Sequence, residues 1–130
     1  MTYYHHFGHL QMFEVGLKEG MIVKRGDVLG RVGKTGTKSP HLHFEVRIGR
    51  PPKWTAYVKG MTKAEVKNLY PDPSRWIDKE RQIPAKFDRF TGYTYLEQVD
   101  WGGFHPGVDI NSGKSGGDDE GEVVVSACNG

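Results

Sequence analysis

The chain has 130 residues, enough for about one domain, and its 18 Lys and Arg against 16 Asp and Glu give a net charge of +2. This balance, without a basic run, argues against nucleic acid as a partner, and no stretch approaches the roughly 20 apolar residues of a membrane span. The single cysteine cannot form an internal disulfide or a multi-cysteine zinc site, so any metal must be held by His and carboxylate side chains.

Short apolar runs separated by glycine turns in the first fifty residues predict short β-strands. The clearest strand is 41–48, where polar and apolar residues alternate strictly. Because neighbouring side chains of a strand point to opposite faces, the apolar residues belong to the core. The other face is expected to form a second surface that presents His41, His43 and Glu45, and two neighbouring imidazoles there indicate a candidate site.

One short helix is predicted within 61–70, since Thr62 and Glu65 fit a capping box and Pro71 would end the helix. The segment that follows mixes aromatic residues, charges and prolines, which predicts irregular structure packed on a core. β character returns at 108–110 and 123–127. The fold class is therefore mainly β, with an antiparallel sheet and one short helix. The predicted core comprises Leu29, Val32, Leu42, Phe44, Val46, Val108, Ile110 and Val124.

Two groups of potential metal ligands lie far apart in the chain: His41 and His43, with His9 upstream, and His105 with Asp109. A hydrolytic zinc site commonly takes three His or carboxylate ligands and leaves a fourth position for water, and His43, His105 and Asp109 could supply such a set. Read separately, the second group also fits a turn with a solvated ion pair, and the first fits two histidines on a surface strand. The helical HExxH motif is absent, so a metal site would have to be built on strands.

Several motifs surround these residues. Residues 40–45 read PHLHFE and residues 105–109 read HPGVD; further matches are FGHL at 7–10, the glycine-rich hairpin at 15–32 and GKTG at 33–36. Together they resemble the motifs of the lysostaphin-type (LytM-like) zinc metallopeptidases, which cut peptide cross-links of bacterial cell walls. The resemblance covers roughly 4–77 and 101–130.

Carried over position by position, the resemblance implies that His43, His105 and Asp109 bind Zn²⁺ and that His9 and His41 are catalytic residues off the metal. It implies a barrel-sandwich-like β domain and a zinc metalloendopeptidase whose substrates are peptidoglycan peptides. It also implies extracellular or periplasmic action, although the start of this chain has no basic segment followed by an apolar one, as a secretion signal would have.

The order of the motifs departs from the family, in which HxGxD comes first and PHLHFE last. The chain therefore resembles a circularly permuted domain spanning 1–130, with 1–77 as the C-terminal half of the family pattern, 78–100 as a join and 101–130 as the N-terminal half. A pair of strands that the family has between the two halves is missing. We therefore expect an incomplete sheet with an unpaired edge, through which the chain could self-associate.

Two other functions compete with the enzyme. The hairpin at 15–30 also resembles that of biotinyl and lipoyl carrier domains, but the lysine that those domains modify is lacking. A catalytically silent or impaired peptidoglycan-binding or activator module of the same fold is the stronger alternative. Such relatives usually lose zinc ligands, whereas every matched ligand is present here. His5 and His6 are expected to face solvent.

Overall fold

The elements of the chain are seven strands, one α-helix and one 3₁₀ turn, seen in a computed structural model that describes residues 2–51, 54, 58–86, 89–91, 94–98, 103–111 and 120–129. The strands are β1 (Tyr3–Gly8), β2 (Leu10–Phe13), β3 (Val28–Val32), β4 (Leu42–Ile48), β5 (Arg89–Thr91), β6 (Gly107–Asn111) and β7 (Val123–Val125). The helix α1 spans Lys63–Leu69, and the 3₁₀ turn spans Pro73–Trp76. The predicted fold class, mainly β with antiparallel sheets and one short helix, is confirmed.

The strands form two antiparallel sheets, one with the order β1-β4-β6-β5 and the other with the order β2-β3-β7. In the larger sheet, β4 lies between strands from opposite ends of the chain. Its His43 is paired with Gly8 of β1 on one side and with Asp109 of β6 on the other. The two distant groups of potential ligands are therefore neighbours in the sheet.

Seven of the eight predicted core residues are buried, and the exception is Leu29, which is only partly buried. Leu29 instead lines a small cavity of about 220 Å³ together with apolar residues of β1 and β2. Within the described part of the chain, the main core cluster also contains three residues outside the predicted set: Ile83, Ala85 and Ala127.

The alternation of residues 41–48 suggested that the polar face of β4 forms a second surface, but this face is buried. His43 is 2% exposed and Glu45 is completely buried. The His43 side chain is buried because the rings of His6, His9 and His105 surround it. Their centroids lie 5.9, 5.9 and 4.9 Å from that of the His43 ring. Other imidazoles, rather than water, cover this face.

The helix α1 confirms the prediction for 61–70 and the capping box that began it. The Thr62 hydroxyl accepts from the Glu65 backbone N–H at 3.2 Å, and the Glu65 carboxylate accepts from the Thr62 N–H at 3.0 Å. The helix buries Val66 in a small second cluster with Val58 and Tyr70. No helix in the described part of the chain is long and apolar enough to cross a membrane.

The segment 78–100, predicted to be irregular, contributes to both sheets. Its β5 pairs with β6, so that it extends the larger sheet by a strand. Ala85 forms a bridge with Val124, and the N–H of Val125 donates to the Pro84 carbonyl at 2.7 Å. A strand of three residues is too short a pattern to be recognised by alternation, which is why the sequence did not predict β5.

The strand β1 forms an end of the larger sheet, and among the described strands only β4 pairs with it. The Thr2 carbonyl accepts from the Gly49 N–H, and backbone groups alternate in direction along an antiparallel strand. The backbone N–H and C=O groups of Tyr3, His5 and Phe7 therefore face away from β4. They form an edge that could accept a further strand.

His5 occupies an apolar site on β1. Its ring lies 5.5 Å from the Phe44 ring and 5.3 Å from the Trp76 ring, and its Nδ1 has no hydrogen-bond partner among the residues described. Burial lowers the pKa of His5 from 6.5 to about 4. The unfolded chain therefore binds a proton below about pH 6.5 that the folded chain does not, and stability is lost as the pH falls from there towards 4.

We predict that His5→Phe raises the free energy of unfolding by about 1 kcal/mol at pH 7.5, because it removes an unpartnered buried nitrogen and keeps an aromatic ring. The gain should be larger at pH 5, where unfolding of the original protein is favoured by protonation of His5. Urea denaturation at both pH values measures the effect. A gain that is the same at pH 7.5 and pH 5 would contradict the role assigned to the proton.

Candidate metal centre

The pairing of β4 with β6 builds the centre, because it places His43 directly opposite Asp109. The glycine of the 105–109 motif is needed for this approach. A Cβ on Gly107 would lie 2.2 Å from the Phe44 carbonyl oxygen, so any other residue would push the two strands apart. His105 lies just before β6 and reaches back to the same carboxylate.

Three donor atoms converge at this point. Asp109 Oδ1 lies 3.1 Å from His43 Nδ1 and 3.4 Å from His105 Nε2, and the donor atoms of the three residues all lie within 4.8 Å of one another. All three residues are buried, with 2–6% of their surface exposed. Two imidazoles and one carboxylate form a donor set that suits Zn²⁺.

The outer contacts of the two imidazoles also fit metal binding. His43 Nε2 lies 2.7 Å from Glu45 Oε1, and His105 Nδ1 lies 2.8 Å from the Gly107 carbonyl oxygen. Carboxylate and carbonyl oxygens only accept, so these ring nitrogens must donate. The other nitrogens, His43 Nδ1 and His105 Nε2, then face Asp109. In metal sites, a histidine ligand similarly binds through one nitrogen and donates a hydrogen bond from the other.

The charges of the centre balance one another. Burial alone would lower the pKa of His43, but its hydrogen bonds to Asp109 and Glu45 outweigh burial and raise the pKa to about 9. Burial favours neutral carboxyls, yet hydrogen bonds from His105 and His43 lower the pKa of Asp109, and those from His43 and His6 lower the pKa of Glu45. Both carboxyls are therefore ionised, and the centre favours positive charge between them.

The two predicted catalytic histidines lie beside the three donors. His41 Nε2 is 3.5 Å from Asp109 Oδ1, and its Nδ1 is 3.0 Å from the Ser39 carbonyl oxygen. The His9 ring centroid lies 4.7 Å from that of His41, and His9 Nδ1 is 2.6 Å from the Thr35 carbonyl oxygen. All five predicted side chains are thus brought together, whereas their individual roles stay predictions.

His9 lies where the chain passes from β1 into β2 and from one sheet into the other. Its φ of 68° falls in the left-handed region, which residues other than glycine rarely adopt. Burial lowers the pKa of His9, and this effect exceeds that of the hydrogen bond to the Thr35 carbonyl, which raises it. The His9 imidazole is therefore neutral at pH 7.

His6 belongs to the centre, although it was expected to face solvent. Its Nδ1 lies 3.1 Å from Glu45 Oε1, and 29% of its side chain is exposed. Its ring stacks on Trp54 with centroids 4.8 Å apart. Two adjacent histidines in an aromatic strand carry no polar alternation, so only the register of β1 against β4, which pairs His6 with Glu45, could have revealed this contact.

Comparisons with known proteins agree with the motifs of the first part of the chain. A segment of 49 residues is 43% identical to an L-Ala--D-Glu endopeptidase of Bacillus subtilis (strain 168); it covers 32% of this chain and 15% of that enzyme. No solved structure matches the chain. Residues 1–54, which include His9, His41 and His43, match peptidase family M23, whereas His105 and Asp109 lie outside that match. The resemblance to a LytM-like peptidase is therefore confirmed for this part of the chain.

Proposed function

We propose that the chain is a zinc-dependent endopeptidase that hydrolyses peptide cross-links of bacterial peptidoglycan and acts extracellularly or in the periplasm. The observation that carries the proposal is the convergence of His43, His105 and Asp109 beside His9 and His41. The match of residues 1–54 to peptidase family M23 supports the reaction class, and the endopeptidase relative supports a cell-wall peptide as the substrate.

His43, His105 and Asp109 would hold the zinc ion, with a fourth position left for water. When bound, zinc lowers the pKa of water to about 7 and polarises a carbonyl group. The fit rests on the donor set and on its outer hydrogen bonds from His43 to Glu45 and from His105 to the Gly107 carbonyl.

The proton chemistry belongs to His9 and His41. Each donates through Nδ1 to a backbone carbonyl, of Thr35 and Ser39 respectively, so that Nε2 is the nitrogen that exchanges protons with a substrate or water. The neutral His9 is suited to accept a proton as water attacks the peptide. His41 Nε2 lies next to the ionised Asp109, and in its protonated form His41 would donate a hydrogen bond from Nε2 to the oxygen on which negative charge develops.

The domain organisation that goes with this function is a single domain over 1–130 in circularly permuted order. Its halves would be 1–77 and 101–130, and the pairing of β4 with β6 supports their union in one sheet. The join 78–100 would extend the larger sheet through β5. The edge of β1, where the family has a further strand pair, would mediate weak self-association.

A matched pair of variants on one strand separates metal binding from catalysis. His43→Ala is predicted to abolish stoichiometric zinc and to lower the free energy of unfolding by about 3 kcal/mol, because it leaves two buried carboxylates without their shared partner. His41→Ala is predicted to retain zinc and to hydrolyse peptidoglycan about 10²- to 10⁴-fold more slowly, because it removes only a proton-transfer group.

Elemental analysis of the purified proteins measures zinc, and mass spectrometry of released wall peptides measures hydrolysis. Stoichiometric zinc in His43→Ala would refute the ligand set. A wild-type protein that binds zinc and peptidoglycan but releases no peptides would instead favour the catalytically silent binding module.

The self-association is tested at Tyr3, whose backbone N–H faces away from β4. Tyr3→Pro removes that donor, and Tyr3→Ala is the matched control, since both variants lose the ring and only one loses the N–H. Sedimentation velocity is predicted to show concentration-dependent dimers for the wild type and for Tyr3→Ala, and monomers for Tyr3→Pro. A wild type that stays monomeric would show that β1 needs no partner strand.

A further inference from the structure

One carboxylate oxygen links two histidines at the edge of the metal centre. Glu45 Oε1 lies 2.7 Å from His43 Nε2 and 3.1 Å from His6 Nδ1. Its second oxygen, Oε2, has no hydrogen-bond partner within the described part of the chain, although Glu45 is completely buried. The position of this carboxylate is therefore defined by the two imidazoles, and the loss of His6 would leave it with one.

His6 is held in place from two directions. It is directly opposite Glu45 in the pairing of β1 with β4, which brings the two side chains together on one face of the sheet. Its ring also stacks on Trp54, with centroids 4.8 Å apart and planes at 28°. Because the stacking restricts rotation of the ring, Nδ1 is aimed at the carboxylate before any metal binds.

The link matters because the His43 ring has two possible orientations. A carboxylate can only accept, so Glu45 requires the hydrogen of His43 to be on Nε2 and leaves Nδ1 as the nitrogen that faces Asp109. A flipped ring would exchange the two nitrogens and remove Nδ1 from the ligand set. We propose that His6 is a positioning residue that holds Glu45 in place and thereby fixes the ligating orientation of His43.

This inference rests on the proposed metal site, and it extends that site by a residue outside the PHLHFE and HxGxD motifs.

A second metal ion is a competing use of the same atoms, because the donor atoms of His6, His43 and Glu45 also lie within 4.8 Å of one another. A second ion there would require His43 Nε2 to lose its hydrogen while Nδ1 ligates the first. The distance of 2.7 Å to Glu45 instead indicates a hydrogen bond.

The test compares variants of His6 by zinc affinity, measured in competition with a chromophoric chelator, and by the visible absorption of the Co²⁺ form. His6→Phe keeps an aromatic ring to stack on Trp54 and removes the hydrogen bond, and it is expected to weaken zinc binding about 10-fold and to shift the Co²⁺ bands. His6→Asn, whose amide nitrogen replaces Nδ1, is expected to restore affinity. His5→Phe, on the opposite face of β1, is the matched control and should bind zinc as the wild type does.

A double-mutant cycle with Glu45→Gln shows whether His6 acts through Glu45. Once Glu45 is replaced, His6→Phe should cause little further loss of affinity, because the path to His43 is already broken. Additive losses, or an unchanged affinity in His6→Phe, would overturn the positioning role while leaving the zinc site intact. Two zinc ions in the wild type and one in His6→Phe would make His6 a ligand and overturn the role as well. A wild type that binds no zinc would refute the proposed function itself.

Discussion

The pairing of β4 with β6 is the constraint on which the rest of the structure depends. It brings a strand from the first half of the chain against one from the last third, and it sets His43 opposite Asp109. A shift by one residue would turn His43 and Asp109 to opposite faces of the sheet. The Cβ-free position at Gly107 permits the close approach to Phe44 that maintains this register. The same pairing therefore builds the sheet and assembles the centre.

Electrostatics couples the centre to the stability of the fold. Asp109 and Glu45 are ionised carboxylates in a buried region, and the protonated form of His43 between them compensates their charge. Metal binding at the same point would supply two positive charges and displace the proton on Nδ1. Since such a site does not exist in the unfolded chain, the free energy of metal binding would add to the free energy of unfolding.

The sequence predicted the parts of the molecule that depend on local patterns. The strict alternation of 41–48 gave β4, and the capping box at Thr62 and Glu65 gave the start of α1. The motif residues that form the centre were named from their resemblance to a known family.

The features that could not be predicted depend on strand register and on packing between distant segments. Neither the contact of His6 with Glu45 nor the pairing of β5 with β6 has a local signal. Burial of the polar face of β4 follows from neighbouring rings whose positions only the fold determines.

The two sheets meet at His9, and the backbone there departs from regular strand geometry. With φ at 68°, His9 adopts a conformation that costs a residue with a side chain about 1 kcal/mol or more relative to glycine. Glycine would remove this strain, yet the chain has an imidazole there, hydrogen-bonded to Thr35 and packed against His41. These contacts hold the His9 ring beside the candidate centre and offset the strain of its backbone.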